Sequence, residues 1–209
     1  YNIELMEVLT GFKYIGEKIQ GFEVNKDKTY IFGFEESYGY LAGDFVRDKD
    51  AVIAAMLIAE MTLFYKEKGK SLYDGLVELY EKYGYFKETL VSFELKGKEG
   101  SEKISKCIDS LRNENLVEVN GVKVVTKYDY KLGTEENISS GDKKEIDLPK
   151  SNVLKFVLEN GAWFVVRPSG TEPKMKAYVA VKGNSLKDSK EKLESFKNEV
   201  VTLINSKLN

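Results

Sequence analysis

Short β-rich apolar runs alternate with helical patterns along this 209-residue chain. The runs fall at residues 30–34, 90–95, 122–126, 153–158, 162–167 and 176–181. Runs of this length between helices are typical of α/β and α+β folds. A chain of this size can form one large domain or two domains of about 100 residues, and we favour two.

Four helices are predicted. The first covers about residues 50–68 and has no charged side chain between Ala51 and Ala59. A helix that is apolar on nearly every side is typically buried, so we expect it to pack on the flank of a sheet. The second begins at Ser71, has Asp74 as its capping partner and ends at Gly84. The others lie around residues 104–111 and from about residue 185 onward.

Two polar stretches interrupt this pattern. Residues 96–101 are rich in lysine and glycine, and they indicate a domain boundary or a loop just inside a second domain. Residues 134–150 contain two glycines and a proline within the stretch or at its border, and we predict loops with little regular structure there.

Composition excludes several classes of function. The 32 basic and 34 acidic residues nearly balance and form no long block, so nothing indicates binding to nucleic acid or to a membrane surface. The longest apolar stretch is far shorter than the roughly 20 residues that span a bilayer. The single cysteine, Cys107, cannot form an internal disulfide and is predicted to be a core residue. A cytoplasmic protein is expected.

The chain has no histidine. Ser-His-Asp triads, Cys-His dyads and histidine zinc sites are therefore excluded within it. Any chemistry must rest on carboxylates, lysines, arginines and hydroxyls. The chain also begins abruptly at Tyr1 with what reads as a strand already under way, which leads us to expect a fragment.

A loop between the last two β-rich runs combines groups that suit a phosphate dianion. Arg167, Ser169, Gly170 and Thr171 lie within five residues, and Lys176 follows. A guanidinium forms bidentate hydrogen bonds to phosphate, hydroxyls donate, and glycine lets backbone N–H groups approach. The alternative is an ordinary polar hairpin, which the order and spacing of these residues disfavour.

A second polar loop, residues 33–44, follows the first β-rich run. Ligands in α/β sheets bind at the carboxyl ends of strands. Glu35, Glu36 and Ser37 lie between glycines and can accept from and donate to neighbouring sugar hydroxyls. The alternative is a purely structural loop, although such a loop seldom needs two adjacent carboxylates behind a buried strand.

Charged residues also precede the apolar helix. Asp48 and Asp50 are explained by helix capping, whereas Arg47 and Lys49 are not. Because a helix N-terminus favours an anion, these two cations are candidates for meeting one.

Four segments, in this order, resemble a known family. They are residues 10–15 (TGFKYI), 34–39 (FEESYG), 47–50 (RDKD) and 167–173 (RPSGTEP). They closely resemble the α-D-phosphohexomutases, and within them the bacterial phosphoglucomutases and phosphomannomutases. The resemblance extends over about residues 10–176.

The resemblance implies a fold. The family has four domains, and only the last two are represented here. Residues 1–87 are expected to be the C-terminal part of the α/β, mixed-sheet third domain that binds the sugar. Residues 88–209 are expected to be the α+β domain that binds phosphate. The Ser-His-Asn-Pro phosphoserine motif and the Asp-x-Asp-x-Asp metal motif of the first two domains are absent from the sequence.

The resemblance also implies an activity. It is interconversion of hexose 1-phosphate and hexose 6-phosphate through a phosphoserine and a bisphosphate intermediate, with glucose as the favoured sugar and mannose as the alternative. Mg²⁺ and a hexose 1,6-bisphosphate activator are implied for the full-length enzyme, while no metal site and no bound cofactor are expected in this chain. A hexose phosphate and the missing N-terminal domains are the implied partners, and the fragment alone is expected to be inactive.

Roles for individual residues follow from the same resemblance. Glu35 and Ser37 are implied to bind ring hydroxyls, Lys13 to lie near the sugar, and Lys49 to assist charge or proton transfer. Arg167, Ser169, Gly170 and Thr171 are implied to bind phosphate. Their residue types add Arg47 to the predicted substrate contacts and Lys176 to the predicted phosphate contacts. The alternative is a non-catalytic phosphosugar-binding module or sensor. The sequence leaves the preferred sugar and the oligomeric state open.

Overall fold

A computed structural model describes residues 3–170 and 172–208. The chain divides into two compact units, and the division falls between Glu78 and Leu79. The predicted domain boundary between residues 87 and 88 stays a prediction.

The first unit contains α1 (Phe12–Asn25), β1 (Phe32–Phe34), β2 (Tyr40–Ala42) and α2 (Ala51–Glu67), and α3 (Leu72–Tyr83) crosses the division. Strands β1 and β2 form an antiparallel hairpin in which Phe34 pairs with Tyr40. In the part of this unit that the structure describes, the buried core is small and consists of Phe12, Ile15, Ile19 and Leu41.

Side-chain caps start α2 and α3 where the sequence predicts them. Asp50 Oδ1 accepts hydrogen bonds from the backbone N–H groups of Val52, at 2.8 Å, and Ile53, at 3.1 Å. At α3, the Ser71 N–H donates to Asp74 Oδ2 at 2.7 Å, and the Asp74 N–H donates to Ser71 Oγ at 3.2 Å. The reciprocal cap predicted at Ser71 is thus confirmed, and it satisfies donors that a helix start leaves without partners.

The predicted burial of the apolar helix is wrong for the described chain. No residue of α2 is buried. Val52 is 80% exposed, Met56 is 50% exposed and Leu63 is 57% exposed. These positions lie on one side of the helix because their spacings of four and seven residues follow the helical repeat. Among the described residues, the unit offers α2 only two three-residue strands, which is too little sheet to cover it.

The second unit is built on one antiparallel sheet. Its strands are β3 (Tyr85–Glu94), β4 (Glu118–Val119), β5 (Val122–Asp129), β6 (Thr134–Asn137), β7 (Lys143–Glu145), β8 (Leu154–Leu158), β9 (Trp163–Pro168) and β10 (Lys174–Gly183). The strand order is β3-β10-β9-β8-β5-β6-β7, and β4 pairs with β5. Helices α4 (Gly97–Asn113) and α5 (Leu186–Leu208) complete the unit.

The core lies between one face of this sheet and the two helices. It includes Phe156 and Phe164, which are stacked with their ring centroids 4.7 Å apart. Cys107 on α4 is fully buried there, which confirms its predicted place in the core. Burial raises the pKa of its thiol to about 11. The opposite face of the sheet carries side chains that are half-exposed, such as Val165 and Lys176.

Two polar stretches have more regular structure than predicted. The run at residues 96–101 opens α4 rather than a loop. Gly100 is needed there for close packing, because a Cβ at this position would lie 2.6 Å from Leu95 Cβ. In the stretch from residue 134 to 150, β6 and β7 pair across charged side chains, with Lys143 Nζ 3.6 Å from Glu136 Oε1. Cross-strand ion pairs take the place of an alternating apolar pattern.

A buried polar cluster ties α4 to β5. Arg112 Nε donates to Asp129 Oδ2 at 2.9 Å, and both side chains are less than a tenth exposed. Arg112 also donates to Asp109 and Asn152, each at 2.5 Å, and its backbone carbonyl accepts from Lys127 Nζ. Burial lowers the pKa of Lys127. Within the described ranges, no helix combines the length and the apolar character needed to span a membrane.

Candidate functional site

The predicted sugar loop is the connection of the β1–β2 hairpin. The Glu35 N–H donates to the Gly39 carbonyl at 2.9 Å, which closes the loop immediately beyond the last strand pair. Inside it, Ser37 Oγ lies 3.5 Å from Glu35 Oε2, at the long limit for a hydrogen bond. Glu35 is half-buried and Ser37 is exposed, so a carboxylate and a hydroxyl are presented side by side.

Lys49 lies against this loop. Its aliphatic chain crosses Gly39 so closely that a Cβ there would lie 2.4 Å from Lys49 Cδ and 3.0 Å from Glu35 Oε2. Lys49 Nζ is 5.2 Å from the centroid of the Phe12 ring, within the range of a cation–π contact. The structure therefore brings Lys49, which follows β2 in the sequence, close to Glu35 and Ser37, which precede it.

The charge state of Lys49 is set mainly by its neighbour. Lys49 Nζ donates to Asp48 Oδ1 at 3.0 Å, and this hydrogen bond, followed by the attraction of Asp48 and then of Glu35, raises the Lys49 pKa. The pKa of Asp48 is lowered, first by the hydrogen bond from the Lys49 backbone N–H. At neutral pH, Lys49 is a cation, which suits stabilisation of negative charge, while the raised pKa makes it a weaker proton donor.

The remaining two residues predicted for the sugar site have partners of their own. Arg47 forms an ion pair with Glu23 of α1 and donates to the Asp44 carbonyl, so its guanidinium holds the chain onto α1. Lys13 lies in the first turn of α1, with Nζ 4.7 Å from the Tyr14 ring centroid. Across the described residues, no hydrogen bond or ion pair joins Lys13 to Glu35 or Ser37.

The predicted phosphate loop connects β9 to β10. The Ser169 N–H donates to the Lys174 carbonyl at 2.7 Å, and the Glu172 N–H donates to Ser169 Oγ at 3.3 Å. Gly170 is exposed, and nothing lies within 4 Å of a Cβ built on it, so the backbone is open to a ligand. Thr171 lies outside the described residues.

Two cations face each other at the base of this loop. Arg167 on β9 is directly opposite Lys176 on β10, and both side chains are half-exposed on the same face of the sheet. Like charges at directly opposed positions destabilise a strand pair. The neighbouring Lys174 is neutralised by Glu94, with Nζ 2.6 Å from Oε1. Within the ranges that the structure describes, neither Arg167 nor Lys176 has an ion-pair partner.

Strand pairing adds one residue to this row. Ser92 on β3 is directly opposite Lys176, so its hydroxyl lies on the same face as the two cations. Nothing local in the sequence marks Ser92, because only the pairing of β3 with β10, more than 80 residues later, brings it to the loop. The residues predicted to bind phosphate therefore form a row across three strands, in which Lys176 lies between Arg167 and the hydroxyl of Ser92.

The residues predicted to bind the sugar lie in the first unit, and those predicted to bind phosphate lie in the second. The described residues contain no set of three or more Asp, Glu or Cys side chains placed to hold a metal ion. The Mg²⁺ implied for the full-length enzyme has no fitting site among them.

Comparison with known proteins identifies these two units. Residues 1–83 match the family model described as phosphoglucomutase/phosphomannomutase, alpha/beta/alpha domain III. Residues 110–203 match the model described as phosphoglucomutase/phosphomannomutase, C-terminal domain. The chain belongs to the phosphoglucomutase/phosphomannomutase family. The predicted family and fold class, an α/β third domain followed by an α+β C-terminal domain, are confirmed.

Curated relatives are similar over most of this chain. The phosphoglucomutase of Staphylococcus aureus strain MRSA252 is 39% identical over 195 residues, which cover 93% of this chain and 35% of the relative. The phosphoglucomutase of Staphylococcus epidermidis strain RP62A is 38% identical over 181 residues, which cover 87% of this chain and 33% of the relative. The chain thus spans about a third of the length of these phosphoglucomutases.

A solved structure has the same fold. The open form of the exocytosis-sensitive phosphoprotein pp63/parafusin from Paramecium, a phosphoglucomutase, aligns with a TM-score of 0.60. It is 15% identical in sequence, and the alignment covers 99% of this chain and 34% of the Paramecium chain. The roles of individual residues in the two loops stay predictions.

Proposed function

We propose that this chain supplies the sugar-binding and phosphate-binding part of a phosphohexomutase. The full-length enzyme would interconvert glucose 1-phosphate and glucose 6-phosphate, and mannose phosphates are the alternative substrates. The observation that carries the proposal is the pair of opposed cations, Arg167 and Lys176, without an ion-pair partner in the described chain. A phosphate dianion between them removes their repulsion and forms charge-assisted hydrogen bonds.

We assign a different part of the substrate to each of the two sets of residues. Arg167 and Lys176 would bind the phosphate that does not react, and Ser169, Gly170 and Thr171 are the other proposed phosphate-binding residues. Glu35 accepts hydrogen bonds from ring hydroxyls, and Ser37 donates to or accepts from them. Lys49, as a cation beside Glu35, would donate a proton or stabilise charge at the reacting end. Lys13 and Arg47 stay proposed substrate contacts, although Arg47 is held by Glu23.

This division suits a substrate that must bind in two orientations. In the proposed reaction, a phosphoserine transfers its phosphoryl group to the hexose monophosphate, and the resulting bisphosphate turns round and returns the other phosphoryl group. Both orientations share ring hydroxyls and one phosphate away from the reacting centre, and these are the features that the two loops would bind. Because the phosphoserine motif is absent from the sequence and no described residues fit a metal, these parts are assigned to the N-terminal domains of a longer protein.

The exposed side of α2 supports this assignment of partners. A helix with an apolar stripe is stable when another element covers the stripe. We therefore propose that Val52, Met56 and Leu63 pack against the N-terminal part of the same protein.

Because the phosphoserine motif is absent, the 209-residue chain alone should show no conversion of glucose 1-phosphate to glucose 6-phosphate in a coupled assay, and measurable turnover would contradict this. A cytoplasmic location stays part of the proposal.

The proposal is tested by calorimetric titration of the chain with glucose 6-phosphate, mannose 6-phosphate, glucose and inorganic phosphate. Arg167→Ala should weaken binding of both sugar phosphates and of inorganic phosphate by about tenfold or more, since a hydrogen bond to a charged group contributes about 1.5–3 kcal/mol. Glu35→Gln should weaken binding of the sugar phosphates and leave the affinity for inorganic phosphate unchanged.

Lys182→Ala is the matched control for Lys176→Ala. Both lysines lie on β10 and, six residues apart, on the same face, but Lys182 is at the opposite end of the strand from the loop. Of these two variants, Lys176→Ala should reduce the affinity for phosphate and Lys182→Ala should not. Equal affinities for the wild type and Arg167→Ala would overturn the assignment of the phosphate loop.

A further inference from the structure

Tyr38, at the tip of the sugar loop, has a backbone conformation that a side chain disfavours. Its φ is +67°, in the left-handed region. Two other non-glycine residues in the described chain share a positive φ, and both have ordinary structural reasons. Lys26 ends α1, where its N–H donates to the Phe22 carbonyl, and Asn120 forms an Asn-Gly turn between β4 and β5.

The turn of the hairpin requires the positive φ at position 38, but it does not explain why a tyrosine occupies this position. A turn that needs a left-handed residue accepts glycine or asparagine with less strain than a residue with a large side chain. The Tyr38 side chain is 85% exposed, and it contacts no aromatic ring or cation in residues 3–170 and 172–208. The ring therefore contributes little to folding of this unit. Strained residues with no folding benefit cluster at functional sites.

We propose that Tyr38 is a further substrate-binding residue that stacks its ring on the C–H face of the bound sugar. This inference rests on the proposed function of the sugar loop. Tyr38 follows Ser37 directly and lies within the turn closed by Glu35 and Gly39, so the ring is at the same loop as the hydroxyl-binding groups. A tyrosine ring offers a large, rigid apolar surface with few rotatable bonds.

Stacking also suits the turn between two orientations. Hydrogen bonds to hydroxyls are directional, so each must break and re-form when the sugar turns round. A pyranose has C–H bonds on both of its faces, and the contact between these and an aromatic ring depends little on rotation in the plane of the ring. Tyr38 would thus bind either orientation, while Glu35 and Ser37 exchange one set of hydroxyls for another.

The test compares four chains in calorimetric titrations with glucose 6-phosphate and with inorganic phosphate. They are the wild type, Tyr38→Phe, Tyr38→Asn and the control Tyr73→Asn, which removes another exposed tyrosine ring, that of Tyr73 on α3. Tyr38→Phe should retain the affinity for glucose 6-phosphate, whereas Tyr38→Asn should lose about tenfold. Inorganic phosphate should bind all four chains equally.

Two further readouts separate stacking from a structural role. In NMR spectra, the C–H protons of bound glucose 6-phosphate should shift upfield with the wild type and Tyr38→Phe, and not with Tyr38→Asn. The Tm of Tyr38→Asn should equal or exceed that of the wild type, because asparagine suits the left-handed angle.

The outcomes also separate this inference from the function on which it rests. If the wild type binds glucose 6-phosphate and Tyr38→Asn binds it equally well, stacking is wrong and the sugar loop stands. A lowered Tm together with lost inorganic phosphate binding in Tyr38→Asn would likewise refute a stacking role. If the wild type binds no sugar phosphate, the proposed function fails and stacking fails with it.

Discussion

Because Gly39 has no Cβ, the side chains of Lys49 and Glu35 can pack directly against its backbone. Its φ is not among the positive values, so the reason for glycine here is space and not backbone freedom. Gly39→Ala would place a methyl group within 3.0 Å of both Lys49 and Glu35. Both side chains must then move, and we expect glucose 6-phosphate to bind more weakly while inorganic phosphate binds as before. Calorimetry with the two ligands measures the difference.

Gly21→Ala is the matched control for this prediction. Gly21 lies in α1 of the same unit, and nothing lies within 4 Å of a Cβ built on it. Since alanine favours a helix over glycine, this variant should be stabilised by up to about 1 kcal/mol and should keep its ligand affinity. Unchanged sugar phosphate binding in Gly39→Ala would mean that Lys49 and Glu35 tolerate displacement.

At the scale of elements, the Arg112–Asp129 pair fastens the last turn of α4 to β5. Asp129 also accepts hydrogen bonds from the backbone N–H groups of Lys131 and Leu132, at 3.0 and 3.1 Å. Asp129→Ala leaves the Arg112 charge buried with less compensation, and we expect a loss of about 3–5 kcal/mol in the free energy of unfolding. Urea unfolding followed by Trp163 fluorescence measures it. The exposed Asp147→Ala should change stability little, and a similarly small change for Asp129→Ala would disprove this account.

Local signals predicted the elements more reliably than their surroundings. The cap at Ser71 and Asp74 is visible in the sequence because both partners lie within one turn. The burial of α2 was misjudged because the residues that cover a helix are set by other parts of the protein. Strands β6 and β7 were missed because their stability comes from charged cross-strand pairs such as Lys143 and Glu136.

The candidate site shows the same limit. The loops at Glu35 and Arg167 stand out by composition, because carboxylates, hydroxyls and an arginine are concentrated within a few residues. The packing of Lys49 on Gly39 and the row of Ser92, Lys176 and Arg167 do not stand out. Both depend on how distant backbone segments pair, and local residue types do not determine that pairing.

For the whole molecule, the two units should unfold separately. Among the described residues, the buried apolar core of the first unit has four members, whereas that of the second has 22. Because burial of apolar surface is the main stabilising contribution, the first unit should unfold at lower urea concentration. Far-UV circular dichroism should therefore show an early transition that the fluorescence of Trp163, in the second unit, does not follow.

Cys107 provides an independent probe of the second transition. The thiolate is the reactive form, and both burial and the raised pKa of about 11 keep the folded thiol inert near pH 8. Reaction with a thiol reagent should start only at the urea concentration where Trp163 fluorescence changes. Coincident changes in circular dichroism, fluorescence and thiol reactivity would indicate one cooperative molecule.

The pairing of β3 with β10 has a consequence for synthesis on the ribosome. β3 is the first strand of this sheet to be translated, but the strand that pairs with all ten of its residues is the last. Until then, the nascent chain presents an unpaired edge that other chains can bind, which is the period when help from chaperones matters most. Ser92, Lys176 and Arg167 come together only when translation of the sheet is complete, so a ribosome-bound intermediate that ends before β10 should have no affinity for phosphate.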